Sequence, residues 1–162
     1  MSRSGYIDDS DDQWQLIKWR GAVASAIRGK RGQLFLLEIL ASLDAMPIKR
    51  LVANELETPD LIPCSHWGLF EAESVCAIGA VGKRRGVDMK ALDPEDYGGV
   101  AVKFGIAEPL AQEIVYVNDE CGTLRETPEA RFQRVRAWVV SQIRDFEITT
   151  TVQSGMRGAV DA

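Results

Sequence analysis

The spacing of apolar residues predicts a first helix over residues 13–28. The positions that recur at steps of three and four residues are Leu16, Trp19, Val23 and Ile27. Residues with this period lie on one side of a helix, and an apolar side is the one that packs into a core. We therefore expect this stripe to face the interior.

A second helix is predicted over residues 33–45, and it is apolar on almost every side. Its apolar residues are Leu34, Phe35, Leu36, Leu37, Ile39, Leu40 and Leu43. A helix without a polar face is typical of the inside of a protein. We expect it to be the buried helix around which the others pack.

Two stretches with alternating apolar positions, residues 51–57 and 73–81, predict the strands of one antiparallel β-hairpin. The connection, loop 58–73, is long for a hairpin and resembles an insertion. It carries the only histidine of the chain and two aromatic residues, namely His66, Trp67 and Phe70. Long loops in compact domains are often functional, so these residues are candidates for binding a partner protein. The alternative is a flap that packs on itself.

Helix start signals predict two further helices. An acid followed by proline at Asp93 predicts a helix over residues 94–104. A threonine followed by proline at Thr127 predicts another over residues 128–143, with a core stripe of its own.

Together these elements predict a mainly helical α+β fold with about five helices and one antiparallel β-hairpin. We expect residues 1–12 to form a polar N-terminal tail and residues 13–144 a single domain that includes the inserted loop. Residues 145–162 are expected to form a C-terminal tail, in which residues 147–152 could add a strand if the sheet has a free edge. A chain of 162 residues is long enough for one core.

The side of the first helix opposite the apolar stripe has an unusual composition. This outer face consists of Trp14, Lys18, Gly21, Ser25 and Arg28, at steps of three and four residues. One interpretation is that another helix packs closely over Gly21 and Ser25 while the cations extend around it. The other is that an anionic ligand lies over the small residues, between Trp14 and the cations.

Two glycine-bracketed basic runs extend this pattern. The first, which we call the basic turn, is Arg28, Lys30 and Arg31. It precedes the second helix, whose N-terminal N–H groups and dipole favour an anion. The second basic run is Lys83, Arg84 and Arg85. One such run is typical of a solvated turn, and the presence of two in an acidic chain adds a shared anion site as the alternative.

The distribution of charge supports this interpretation more than its total. The net charge of −5, from 19 basic and 24 acidic residues, is ordinary for a soluble protein. No acid occurs between Asp12 and Glu38, so the segment that contains the outer face and the basic turn is a local positive patch. The sequence has no secretory signal and no apolar run of about 18 residues, which predicts a cytoplasmic protein without a membrane span.

Motifs for catalysis and metal binding do not emerge from the sequence. Cys64 and His66 lack the paired spacing of a zinc site, even with Cys76 or Cys121. The glycine–lysine pairs of the two basic runs do not form a Walker-type phosphate loop. Acid pairs at helical spacing are too common among 24 acids to argue for or against hydrolysis. We therefore expect a non-enzymatic protein without a metal or a cofactor.

Residues 101–114 have the small-residue and glycine spacing of a helix-turn-helix. A helix that reads DNA needs cations and amides for phosphates and base edges. The polar residues that this region offers are mostly acidic: Glu108, Gln112, Glu113, Asn118, Asp119 and Glu120. A DNA-binding regulator is therefore the third functional hypothesis.

Short motifs along the chain form a recognisable series. They are WRG from Trp19, SAIRGKRGQ from Ser25, LDAMP from Leu43, DPED from Asp93, FGIA from Phe104, NDE from Asn118 and TPE from Thr127. Together they resemble a family of short proteins, without an established activity, encoded by temperate phages and prophages of Gram-negative bacteria. The likeness covers about residues 4–57 and 74–143. Loop 58–73 and the tail beyond Arg144 depart from it.

This resemblance implies a phage-type accessory protein that acts on its host from the bacterial host cytosol. The leading hypothesis is an anti-defence binder that sequesters a phosphorylated, nucleotide-derived immune signal at the outer face and the two basic runs. The alternative is an inhibitor that binds a host defence factor through His66, Trp67 and Phe70. A homo-oligomer is compatible with both hypotheses.

Overall fold

The computed structural model describes residues 13–64 and 68–144, and for residues 59–64 and 68–73 it describes the backbone alone. In chain order the elements are α1 (Gln13–Arg28), α2 (Lys30–Ala45), β1 (Glu57–Cys64), β2 (Gly68–Val75), α3 (Ala77–Arg85), α4 (Tyr97–Phe104), α5 (Glu108–Asp119) and α6 (Pro128–Gln142). The predicted mainly helical fold with one antiparallel hairpin is confirmed. The described ranges hold six helices, one more than expected.

Helix α1 begins and ends where the apolar spacing predicted. Val23 and Ile27 are buried, and Trp19 packs against the core. Leu16 is 50% exposed, contrary to the prediction. Since residues 13–18 are exposed throughout, the stripe joins the core only from Trp19 onward.

Helix α2 starts three residues earlier than predicted and follows α1 after the single residue Gly29. The two helices approach closely, because a Cβ atom at Gly32 would lie 2.0 Å from the carbonyl oxygen of Ala26. Packing of α1 against α2 therefore requires glycine at position 32, next to the basic turn.

The buried side chain of Gln33 joins this junction to the far end of the domain. Its Nε2 donates to the carbonyl oxygens of Ile27 at 2.8 Å and of Gln142 at 2.9 Å. Its Oε1 accepts a hydrogen bond from the backbone N–H of Arg144 at 2.8 Å. One carboxamide therefore connects the end of α1 to the end of α6.

Helix α2 packs against α1, α3 and α6. It buries one side, with Leu36, Ile39 and Leu43 fully enclosed. Leu34 is 55% exposed and Leu37 is 42% exposed. The prediction that α2 is buried on almost every side is therefore wrong for the side that carries Leu34 and Leu37.

The hairpin, residues 57–75, lies mostly within the stretch predicted as a loop, residues 58–73. Glu57 pairs with Val75 at its base and Cys64 with Gly68 near its tip. Residues 51–56 do not form the predicted strand, because Asn54 has a positive φ of 66°, which breaks the extended backbone.

The second predicted strand, residues 73–81, is mostly helix α3. Ala77 to Gly82 are all buried, so this part of α3 has no polar face and its sequence shows no helical period. Its small residues allow close contacts: a Cβ atom at Gly79 would lie 2.0 Å from the carbonyl oxygen of Leu56. A buried apolar run of this length fits a strand and a helix equally well.

The predicted helix starts are partly correct. The hydroxyl of Thr127 accepts the N–H of Ala130 at 3.2 Å and caps α6 as expected. Helix α4 begins later than predicted, because Asp96 is its cap and accepts the N–H of Gly99 at 2.9 Å. Asp93 and the proline after it form the turn that precedes α4.

Some predictions fall outside the described residues. These are the N-terminal tail, residues 65–67 with His66 and Trp67, and the tail 145–162 with its added strand. Phe70 lies in β2, where only the backbone is described.

Candidate anion-binding surface

The outer face of α1 lies on the surface of the described structure. Trp14 is 72% exposed, and Lys18, Gly21, Ser25 and Arg28 are exposed as well. A Cβ atom at Gly21 would meet nothing within 4 Å. The interpretation that another helix of this chain packs closely over Gly21 is therefore wrong for the described residues.

Four cations of the outer face and the basic turn have no partner among the described residues. The side chains of Lys18, Arg28, Lys30 and Arg31 are exposed and form no ion pair or hydrogen bond with the described residues. Six other arginines of the described ranges bind carboxylates: Arg20, Arg50, Arg85, Arg131, Arg134 and Arg136. The charges of Lys18, Arg28, Lys30 and Arg31 therefore form no ion pair that stabilises the described fold.

The basic turn places three of these cations at the start of α2. Its N-cap residue, Gly29, supplies no side-chain hydrogen bond to the first N–H groups. The positive end of the helix dipole and the charges of Arg28, Lys30 and Arg31 thus act on the same region. An anion at this junction would meet favourable potential from both sources.

The outer face is extended and open. Lys18 and Arg28 are ten residues apart, which corresponds to about 15 Å along the helix axis. They cannot bind the same phosphate group. A ligand that contacts both must therefore carry separated negative charges.

The second basic run is largely used by contacts inside the chain. Arg85 donates to both carboxylate oxygens of Glu38, at 2.7 and 2.5 Å, and to the carbonyl oxygen of Phe104 at 3.1 Å. Its guanidinium lies 5.6 Å from the ring centroid of Phe35. Lys83 lies 3.7 Å from the carboxylate of Glu57. These two cations do not provide the free charge that the sequence suggested.

The ion pair between Glu38 and Arg85 shifts the pKa of both groups. The hydrogen bonds from Arg85 lower the pKa of Glu38, and the charges of Arg85 and Arg84 act in the same direction. The same carboxylate raises the pKa of Arg85. Arg31 precedes Glu38 by two turns on the same side of α2, about 10 Å along the axis. Arg84 is the member of the second run that forms no ion pair with the described residues, and its charge acts on Glu38 of α2.

A separate pocket of about 320 Å³ lies at the base of the hairpin. It is lined by Glu55, Leu56, Glu57, Met89, Lys90, Leu92 and Pro94. None of the predicted ligand-binding residues lines it. Its walls come from two stretches that are distant in sequence, so no local pattern could reveal it.

Asn118 of the NDE motif and the pair formed by Arg134 and Glu126 stabilise the fold. Asn118 accepts the N–H of Ala77 at 3.1 Å and donates to the carbonyl oxygen of Val52 at 2.7 Å. Arg134 donates to the carboxylate of Glu126 at 2.6 and 2.8 Å and to the carbonyl oxygen of Val117 at the end of α5. Contacts within the chain account for these residues, whereas the cations of the basic turn have no such contacts with the described residues.

The described thiols are not arranged for catalysis or metal binding. Cys76 is buried, and its Sγ accepts the N–H of Gly79 at 3.4 Å as the cap of α3. Burial raises the pKa of Cys121, which keeps this thiol protonated and weakly nucleophilic. Among the described residues, no group of three histidine, cysteine or acidic side chains could hold a metal ion.

The stretch predicted as a helix-turn-helix forms α4 and α5, joined at Gly105 with a positive φ of 70°. Most of α5 is buried, including Leu110, Ile114 and Glu113. Glu113 binds Arg20 of α1 at 2.8 Å. This arrangement favours a core helix over one that enters a DNA groove.

In the described ranges, no helix is long and apolar enough to cross a membrane. The chain matches no protein-family profile, no curated protein and no solved structure. The resemblance to phage-encoded proteins therefore depends on the sequence motifs alone.

Proposed function

We propose that this protein binds a phosphorylated, nucleotide-derived ligand at the outer face of α1 and the basic turn, and leaves it chemically unchanged. The observation that carries the proposal is the set of four exposed cations without a partner in the described structure, Lys18, Arg28, Lys30 and Arg31. Each arginine or lysine that binds phosphate contributes a charge-assisted hydrogen bond of about 1.5–3 kcal/mol.

The spacing of the surface limits the ligand. One phosphate is bound at the basic turn, beside the start of α2, and a second lies near Lys18, about 15 Å away. A cyclic oligonucleotide or a dinucleotide-like signal has such separated charges, whereas inorganic phosphate does not.

The other residues of the outer face have supporting roles. Gly21 and Ser25 present little side chain, so the ligand can approach the helix backbone between the two cationic ends. Trp14 is exposed at the first turn of α1 and can stack on a base. Arg84 adds positive potential from the neighbouring end of α3.

The biological role follows from the resemblance to phage-encoded proteins. A phage that carries such a binder lowers the free concentration of a host immune signal by mass action, without degrading it. The proposed role is therefore sequestration, and it requires that the ligand be released intact.

Mass spectrometry of the released ligand tests this proposal. The protein is mixed with cyclic oligonucleotides and ADP-ribose derivatives, separated from free ligand and denatured by heat. We expect one of these compounds to be recovered unchanged, in proportion to the protein. Cleaved product in many-fold excess over protein would show an enzyme instead, and binding of none of the compounds would remove the proposal.

A further inference from the structure

The hydrogen bonds at the base of the hairpin determine which backbone groups of β2 face away from β1. The N–H of Cys76 donates to the carbonyl oxygen of Leu56 at 3.1 Å, so residue 76 faces β1. The carbonyl oxygen of Val75 instead accepts the N–H of Val52 at 3.0 Å, on the opposite side. Because this direction alternates along an antiparallel strand, the backbone groups of Leu69, Glu71 and Glu73 also face away from β1.

The two outer edges of the hairpin therefore differ. Pro59 pairs with Glu73 and Pro63 pairs with Leu69, so both prolines occupy the outward positions of β1. Proline has no N–H, which removes two donors from the outer edge of β1 without disturbing the bonds to β2. The outer edge of β2 has no proline and keeps its N–H and C=O groups from Leu69 to Glu73.

An unpaired strand edge is a template for another strand. Within the described residues the sheet has two strands only. Each strand has eight residues, about 27 Å at about 3.4 Å per residue. A two-stranded ribbon is marginally stable alone, and a third strand would stabilise it. The hydrogen bond from the N–H of Val52 to the carbonyl oxygen of Val75 shows that another segment of the chain already pairs with the base of this edge.

The charge of the hairpin selects the occupant. Between Glu57 and Val75 the chain has four acids, Glu57, Asp60, Glu71 and Glu73, and no lysine or arginine. A second copy of β2 is a poor partner, because antiparallel self-pairing with the longest overlap places Glu71 opposite another Glu71 or opposite Glu73. Like charges directly opposite destabilise a sheet.

We propose that the outer edge of β2 is a docking site for an extended segment of a partner protein that bears lysine or arginine and adds a third strand. The main-chain groups of Leu69, Glu71 and Glu73 supply the affinity, and the acidic residues of β2, Glu71 and Glu73, select cationic side chains. This interaction surface is independent of the proposed ligand surface on α1.

Amide hydrogen exchange with a defined peptide tests the proposal. The probe is a blocked octapeptide of alternating lysine and valine, and its control replaces lysine by glutamate. We expect the lysine peptide to slow exchange at Leu69, Glu71 and Glu73 by about tenfold or more, and the glutamate peptide to have no effect. Slow exchange of these amides in the free protein would overturn the proposal, since the edge would then be covered by its own chain. Equal protection by both peptides would also overturn it.

Proline substitutions separate the edge from the charge. Glu71→Pro removes an outward N–H and should weaken binding of the lysine peptide by about fivefold to tenfold. Leu61→Pro makes the same change on the outer edge of β1 and should leave binding unchanged, while Glu71→Gln removes the charge alone and should weaken it less. If the two proline variants weaken binding equally, the docking site is not the edge of β2. Should Glu71→Pro fail to fold, the exchange experiment on the natural chain decides.

Discussion

Replacing Gly21 by alanine should stabilise the protein. Gly21 lies in the interior of α1, where glycine costs about 0.5–1 kcal/mol relative to alanine because it loses more backbone freedom on folding. A Cβ atom at this position would meet nothing within 4 Å, so no packing cost opposes the gain. For a protein of this size, 1 kcal/mol corresponds to about 2–4 °C in Tm. We expect Gly21→Ala to raise Tm by about 1–4 °C.

The matched control is another glycine of the same helical pair. A Cβ atom at Gly32 would lie 2.0 Å from the carbonyl oxygen of Ala26, and backbone cannot move as a flexible side chain can. Gly32→Ala should therefore lower the free energy of unfolding by about 1–3 kcal/mol or more, through overpacking. Both variants are compared by urea unfolding and by thermal melting.

The two alanine variants must change stability in opposite directions. A lower Tm for Gly21→Ala would mean that something packs over this glycine, and the open surface on which the ligand proposal depends would be refuted. The same position also tests binding. Gly21→Leu fills the space over α1 and should abolish ligand binding. It should change stability only a little, and in the same direction as Gly21→Ala.

Three further predictions concern charged residues. Arg28→Ala should weaken ligand binding about tenfold or more with little change in Tm. The control, Arg125→Ala, removes an exposed arginine elsewhere and should leave ligand binding unchanged. Calorimetric titration of both variants measures the difference. Arg85→Ala should destabilise the protein by about 1–2 kcal/mol in urea unfolding, because it leaves Glu38 without its partner, and an effect within about 0.5 kcal/mol would contradict this role. The pKa of Glu126 is lowered by its hydrogen bonds to Arg134, so its stabilisation is present above the unfolded pKa of about 4.3 and is lost as pH falls through the folded pKa. In urea unfolding, the stability lost by Glu126→Gln relative to the natural chain should shrink in acid, and a difference independent of pH would contradict the pairing.

The sequence predicted the helices that combine an apolar stripe with a polar face. Helices α1 and α6 have such stripes, and for α6 the capping Thr127 also marked its start. Helix α3 could not be predicted, because it is buried on all sides at Ala77 to Gly82 and its apolar run has no period. The two strands were predicted at residues 51–57 and 73–81, before and after their true positions, because these stretches contain the buried apolar residues that flank the hairpin.

The candidate site was predictable only where it depends on a single helix. The spacing of Lys18, Gly21 and Arg28 places them on one side of α1 in any fold. Whether Arg85 is paired depends on Glu38, which lies 47 residues away in sequence and contacts it only because α3 packs on α2. No local pattern distinguishes a cation with such a partner from a free one.

The carboxamide of Gln33 sets an order of events during synthesis of the chain. Its partners Gln142 and Arg144 are separated from it by 109 and 111 residues. Until α6 has left the ribosome, the amide has only Ile27 to bind among these partners, and enclosing it without the other two would cost about 1–3 kcal/mol. The junction of α1 and α2, although made early, is therefore completed among the last parts of the molecule. A nascent chain that stops before α6 should carry the basic turn without the support that fixes its geometry.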